Sequence, residues 1–264
     1  MMNGKKQQGR QLGEIRRNKM LAWLREEGSA RVSVFAEAFG VSEVTVRQDL
    51  EKLENEGHVV REHGGAFLKS VPDQVRSMAL AHQDNAEAKQ AIGRAAAALV
   101  ADGETIILDS GSTTTAVAAN LFGKNNVTVI TNALNIALML GAEPEFDVHM
   151  SGGHFKAPTL SLSGDRSADY FKGLFVQKLF LATAAMDIEN GLTYPSMSDI
   201  AVKRAMIGSA QSIILVADSS KVGKRSFCRL DGIEQIDILV TDKGIQDDDK
   251  AAIEAVGVKV IIAN

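Results

Sequence analysis

Near the start of the chain, apolar residues recur at helical intervals and then give way to alternation. Ile15, Leu21 and Leu24 predict an amphipathic helix that stops near Glu27 and Gly28. Val34, Phe35 and Phe39 predict a second, short helix capped by Ser33, with Gly40 supplying the turn after it. Val46, Leu50 and Leu53 form the apolar stripe of a third helix, whose first-turn amides Ser42 is placed to cap. At roughly 100° per residue, Val44, Thr45, Gln48, Glu51 and Lys52 lie across or beside the opposite face, with Arg47 on a flank. Beyond Gly57, which suits a helix C-cap, His58 to Arg61 reads as a strand. His63-Gly64-Gly65 then reads as a tight turn and Ala66 to Leu68 as its return. Helix, helix, turn, helix and hairpin together make a winged helix-turn-helix.

The pattern changes after Asn85. An alanine-rich helical stretch leads into short apolar runs at 105–109, 127–131, 147–151, 178–183, 212–218, 238–242 and 259–264. Helical segments are expected between several of them, near 113–121, 133–141, 164–173, 199–210 and 248–256. Buried strands alternating with helices predict an α/β domain whose mostly parallel sheet is covered on both faces. The stretch between the two patterns, with Ser70, Val71 and Pro72, lacks an apolar period. The expected organisation is a basic tail over 1–13, a winged helix-turn-helix over 14–69, a linker over 70–84 and an α/β domain over 85–264.

Charge sharpens the picture of the first domain. Residues 1–70 carry a net +2 and the remainder −6, within an overall −4 across 264 residues. The basic excess is concentrated before Arg31, in Lys5, Lys6, Arg10, Arg16, Arg17 and Lys19 among others, where it suits phosphate contact or simple solvation. A helix presenting Thr, Arg and Gln outward can enter a major groove; a three-helix unit used for protein contacts is the plainer alternative. No apolar run approaches the ~20 residues of a spanning helix, and the charged N-terminus lacks a signal core. Cys228 is the single cysteine, so no internal disulfide can form and a cytoplasmic location is expected. The five histidines are scattered without zinc spacing, so neither metal nor cofactor is expected.

Candidate chemistry in the larger domain lies where strands end, because ligands of parallel sheets sit beyond the carboxyl edge. Asp109-Ser110-Gly111-Ser112-Thr113-Thr114-Thr115 follows the first run and opens a helix. Free amides with several hydroxyls make a cradle for a phosphate, although capping of an ordinary strand-to-helix turn would use one of them. The run is neither a P-loop nor a dinucleotide turn. Asn132, the Ser151-Gly152-Gly153 turn, Asp187, Asp218 and Lys221 follow other strands, and Lys203 lies on the helix after Asp199. Taken singly, each suits a turn, a cap or a solvated charge.

The segment RRNKMLAWL, followed by VFAEAFGVSEVTVRQDLEKLENEGHVVREHGGA, resembles the DeoR family of bacterial transcriptional regulators. In that pattern an Arg pair opens the first helix, matched by Arg16 and Arg17, and Gln48 stands where a second Arg is usual. Arg favours guanine whereas Gln can pair with adenine, so operator preference is expected to differ. LDSGSTTT, VITN, SGG, the GLT segment, AVKRAMI, ADSSKVG and ILVTD resemble the family's effector-sensing domain, whose fold is similar to sugar-phosphate isomerases. The resemblance covers about residues 14–264.

By that resemblance, Arg16, Arg17, Ser42, Val44, Thr45, Arg47, Gln48, Lys52, Arg61 and His63 are expected to meet double-stranded operator DNA. Gly111, Ser112, Thr113 and Thr114 would hold the phosphate of a phosphorylated sugar or similar metabolite. Asp109, Asn132, Gly152, Asp187, Lys203 and Lys221 would line the rest of the pocket, while Asp199 departs from a usual Glu. The expected activity is ligand-controlled repression of a carbohydrate-use operon by a homodimer or homotetramer, with no membrane partner. An alternative is a sugar-phosphate isomerase-like enzyme with an accessory DNA-binding module, in which Asp109, Asp187 and Lys203 serve as acid–base groups. A third is an oligomerising interaction protein with a vestigial pocket.

Overall fold

The computed structural model describes residues 13–24, 29–62, 64–68, 84–156 and 159–264. The chain divides into two compact units, Met1–Asp84 and Asn85–Asn264. The basic tail before Gly13, His63 and most of the expected linker lie outside the described residues.

In the first unit a helix over 13–24 precedes helices Val32–Phe39 and Glu43–Asn55. The hairpin Val59–Glu62 with Gly65–Leu68 follows, and a strand Ser29–Arg31, absent from the hydrophobic pattern, pairs antiparallel with the second hairpin strand. That pairing places Arg31, rather than Ser33, at the start of the second helix, and Val32 is buried there as its first residue. Gly40 ends the helix in the left-handed conformation (φ 61°) that a Cβ would disfavour. Ser42 then caps the third helix, its Oγ accepting from the Thr45 amide at 3.2 Å.

The core of this unit joins Met20, Leu24, Phe35, Val46, Leu50 and Leu53. Ile15, expected inside, is 50% exposed, and Val34 is also exposed. The inward stripe of the first helix instead runs through Arg17, Met20, Leu21 and Leu24. It does so because Arg16 and Arg17 both turn to Asp49, with Nε–Oδ2 at 2.6 Å and Nη1–Oδ1 at 3.2 Å.

The second unit is built on a seven-stranded parallel sheet. In spatial order its strands are Lys259–Ala263, Ile238–Asp242, Ala210–Val216, Val176–Ala182, Thr105–Leu108, Val127–Thr131 and Phe146–Met150. The strands are apolar throughout because both faces are covered. Ile106, Leu108, Val129 and Phe180 face one core, with Ile92, Val117 and Ile136 from helices Ala86–Ala97, Ser112–Ala119 and Leu134–Leu140. Ile107, Leu179, Leu181 and Leu215 face the other, with Phe171, Met206 and Ile253 from helices Asp165–Phe171, Met197–Ile207 and Asp247–Ala255. Each such buried side chain is worth about 1.5–3 kcal/mol.

The chain builds outward on one side of Thr105–Leu108, then returns to lay Val176–Ala182 against its other side and builds outward again. This reversal opens a crevice between the segments that follow those two central strands. Two small antiparallel additions, His154–Lys156 with Ser161–Ser163 and Ala185–Asp187 with Gly191–Tyr194 and Cys228–Arg229, were not legible as strands. Among the described residues, no helix is long and apolar enough to cross a membrane.

Candidate functional site

The outer face of helix Glu43–Asn55 sorts into committed and uncommitted side chains. Arg47 is held by Glu43 one turn back, Nη2–Oε2 2.6 Å, and Ser42 and Thr45 share hydroxyl contact at 2.9 Å. Val44 is 61% exposed, and Gln48 and Lys52 are exposed with no hydrogen-bond partner among the described residues. Val44 and Gln48, four apart, lie one above the other on the helix surface.

The other cations expected near DNA are engaged. Arg61 donates from Nε and from its amide to the Glu54 carboxylate, at 2.7 and 3.0 Å. The Arg61 side-chain hydrogen bond holds the Glu54 carboxyl below its usual range. Arg16 and Arg17 are committed to Asp49 and do not share the face that presents Val44 and Gln48; their side chains are only 21% and 15% exposed.

In the second unit the reversal of strand order yields a crevice of about 190 Å³. Ser110, Gly111, Ser112 and Thr113 line it from one central strand, and Ala182 to Ala184 from the other. A side chain at Gly111 would meet the Ala182 Cβ at 2.9 Å, so glycine is what lets the two turns approach. Helix Ser112–Ala119 starts here, and its first-turn amides have no intrahelical partner. Thr114 and Thr115 turn their hydroxyls back to the Gly111 carbonyl, at 3.0 and 2.7 Å, which leaves Ser112 and Thr113 at the opening.

Charge in the crevice is largely paired. Beneath it, fully buried Asp109 accepts from the Ala182 amide at 3.1 Å and from the Lys203 ammonium, both through Oδ2. Asp109 Oδ1 has no partner among the described residues. Lys203 Nζ also lies 4.6 Å from the centroid of the Tyr194 ring, a cation–π distance. Burial, reinforced by the Asp109 charge, pushes the Tyr194 phenol well above its usual range, so it remains a neutral donor, bonded to the Ala182 carbonyl at 2.7 Å. At the rim, Lys156 grips both oxygens of Asp199 at 2.7 and 2.8 Å. Lys221, on the short turn Ser219–Lys221, has no carboxylate partner among the described residues. Two matched ion pairs, one unmatched ammonium and a helix start leave the crevice net positive.

Gly111, Ser112, Thr113, Lys203 and Lys221 therefore line one space, with Asp109 directly below it. Other expected pocket residues sit elsewhere. Thr114 is buried under the turn, and Asn132 bonds the Leu162 carbonyl at 3.0 Å, holding the strand that carries Ser161. Gly152 is exposed and does not line the crevice. Asp187 closes a hairpin turn, accepting from Asn190 Nδ2 at 2.6 Å and from the Asn190 and Glu189 amides. The Asn190 contacts hold its carboxyl below the usual range. Thr159, Ser161, Thr183 and Tyr194 line the crevice without having been singled out in the sequence. Repeated hydroxyls in TLSLS were the one available hint. A larger cleft of about 390 Å³ beside helix Ala86–Ala97 presents Glu87, Asp218 and Asp242, the wrong sign for an anion.

The chain matches the DeoR-like helix-turn-helix domain over residues 16–71 and the DeoR C-terminal sensor domain over residues 84–243. It is 31% identical to the HTH-type transcriptional regulator GlpR of Haloferax volcanii, covering 93% of this chain and 96% of that one. The putative aga operon transcriptional repressor of Escherichia coli O157:H7 is 32% identical, covering 94% and 93%. The glycerol-3-phosphate regulon repressor of Escherichia coli K12 is 28% identical, covering 86% and 90%. Among solved structures, ribose 5 phosphate isomerase A of Neisseria gonorrhoeae is similar at 15% identity and a TM-score of 0.37, over 52% of this chain and 53% of that one. The sorbitol operon regulator SorC of Klebsiella pneumoniae is similar at 11% and 0.37, over 76% and 88%. These distant likenesses carry no functional weight. The enzyme alternative is not favoured: these sequence relatives are named regulators or repressors, and Asp187 does not line the crevice that Lys203 lines. With a helix-turn-helix unit followed by a sensor unit, and relatives alike over nearly their whole length, the chain belongs to the DeoR family of DNA-binding transcriptional regulators.

Proposed function

We propose that the protein represses a carbohydrate-utilisation operon, and that a phosphorylated sugar or related metabolite in the Gly111–Lys221 crevice governs its hold on the operator. The observation that carries this reading is Lys221: an ammonium without a carboxylate partner among the described residues, lining the same crevice as the first-turn amides of helix Ser112–Ala119. An anion there gains both the helix start and a charge-assisted hydrogen bond. The names of the aga operon and glycerol-3-phosphate regulon repressors support a carbohydrate context. A homodimer or homotetramer would match repeated operator half-sites. Effector control requires only that the ligand favour one arrangement over another.

Fluorescence anisotropy on a duplex from the protein's own promoter region, titrated with a panel of sugar phosphates, tests this. A sugar phosphate should change operator affinity while the unphosphorylated sugar does not. Thr113→Val and Lys221→Met should each weaken that response about tenfold or more, as loss of a hydrogen bond to a charged group does, without altering effector-free operator binding. No response to any phosphate, or an unchanged response in both variants, would remove the crevice from the account.

Sequence reading is assigned to the uncommitted outer face. Gln48→Ala should weaken specific operator binding by about 1–3 kcal/mol, the range for a paired base-edge contact. Random duplex of equal length should bind nearly as before. Equal losses on both DNAs would make Gln48 a backbone contact instead.

A further inference from the structure

The turn that presents Lys221 to the crevice is hydrogen-bonded to the residue at which the chain enters the sensor unit. Asp218 begins that turn. Its buried carboxylate Oδ1 accepts from the Ser220 amide at 3.2 Å, from the Ser220 hydroxyl, and from Asn85 Nδ2 at 2.9 Å. Asn85 Nδ2 also reaches Ser220 Oγ at 3.3 Å. Asn85 is the first residue of the sensor unit and immediately precedes helix Ala86–Ala97.

We propose that Asn85 and Asp218 form a latch that couples crevice occupancy to the chain segment leading to the DNA-binding unit. The inference rests on the anion reading of the crevice.

Three features make the latch a two-state element rather than a static brace. Asn85 is held at φ 51°, a left-handed conformation that a non-glycine residue keeps only with local support; Asn tolerates it best. Its side chain does not cap the helix it precedes, being spent on Asp218 and Ser220 instead. Asp218 Oδ2 is buried with no hydrogen-bond partner among the described residues, so among them the carboxylate is held through Oδ1 alone. Between Asp218 and Ser220 the same turn is anchored separately, Ser219 donating from its amide and hydroxyl to Asp242 at 2.6 and 3.1 Å. An anion that draws Lys221 inward therefore acts on its neighbour Ser220, whose hydroxyl meets both Asn85 Nδ2 and Asp218 Oδ1, with Ser219 as the fixed pivot. Release of Asn85 frees the backbone conformation at the helix start, and with it the direction from which the preceding chain arrives. Asn85 and Asp218 act as positioning residues in this scheme, since neither lines the crevice.

Hydrogen–deuterium exchange on the full chain, with and without saturating inorganic phosphate, separates the two readings. Protection at 111–115 and 219–222 reports anion binding, and faster exchange at 86–90 reports release of the latch. Both changes together are the expected result. Protection without a change at 86–90 overturns the latch and leaves the crevice reading standing; no protection overturns both. Asn85→Gly keeps the left-handed backbone accessible but removes the side-chain bond. It should exchange several-fold faster than wild type at 86–90 without phosphate and show no further change with it, while retaining protection at 111–115. On the promoter duplex, effector-free Asn85→Gly should bind with the affinity that wild type shows at saturating sugar phosphate, and should lose any further response. A purely structural role would instead lower crevice protection, or shift operator affinity to a value unrelated to that of the effector-bound wild type. An intact response in Asn85→Gly would overturn the coupling.

Discussion

Asp109→Ala is expected to destabilise the sensor unit by about 3–5 kcal/mol, the usual consequence of leaving one member of a buried ion pair alone. Lys203 is 5% exposed, and its ammonium would keep the Tyr194 ring but lose its carboxylate. The Ala182 amide, on the opposite wall of the crevice, would lose its acceptor as well. For a unit of this size the unfolding temperature should drop by roughly 10 °C, measurable by calorimetry on the full chain. Removing both charges is a different case. Asp109→Leu with Lys203→Met should recover much of the loss, because apolar replacements of a buried pair are often neutral or better. A single-variant loss below about 1 kcal/mol would mean that water reaches Lys203 and that the pair is not buried in solution.

Asp49→Ala should cost the DNA-binding unit about 2–3 kcal/mol, the range for removing a buried acceptor of charged donors. Asp49 lies on the inner side of helix Glu43–Asn55, its side chain 5% exposed, and it receives both Arg16 and Arg17. Those contacts tie the first helix to the third, so the orientation of the outer face depends on them. The partly exposed arginines can find water after the substitution, which keeps the cost below that at Asp109. Chemical denaturation followed at Trp23, which packs edge-on against Phe35 and Phe39, reports this unit directly. Operator affinity should fall with stability, and Arg16→Ala should show the same stability loss in smaller measure. Loss of operator binding by Arg16→Ala with unchanged stability would return the arginine to the DNA.

The strands Val127–Thr131 and Ile238–Asp242 coincide with apolar runs visible in the sequence, and the helix ends lie within a few residues of their expected places. Periodicity finds such elements because burial on two faces imposes a continuous apolar run. The short strands Ser29–Arg31 and Cys228–Arg229 escaped it, being too brief for a period and defined only by their partners. Arg16 and Arg17 show a second limit. A basic pair at a helix start suits phosphate, yet a buried carboxylate 32 and 33 residues away captures both. Asp187 shows a third: strand-end polarity marked it for the pocket, whereas its Oδ1 is spent within four residues on a hairpin turn and its Oδ2 faces Arg225 at 3.7 Å.

By itself the sequence determined the α/β class, the helix-turn-helix, the Ser42 cap and the hydroxyl-rich turn after the first sheet strand, together with the family. These depend on interactions between residues a few positions apart, which the order of residues specifies directly. The tertiary structure alone decided which cations are committed and which are not. Arg47, Arg61, Lys156 and Lys203 are paired, whereas Lys221 has no carboxylate partner among the described residues. It also decided that Thr159, Ser161 and Tyr194 share a crevice with Gly111, and that Asn85 meets Asp218. Those outcomes follow from strand order and from which carboxylate lies within about 4 Å of each cation, and neither distance nor order is written in any local stretch of the chain.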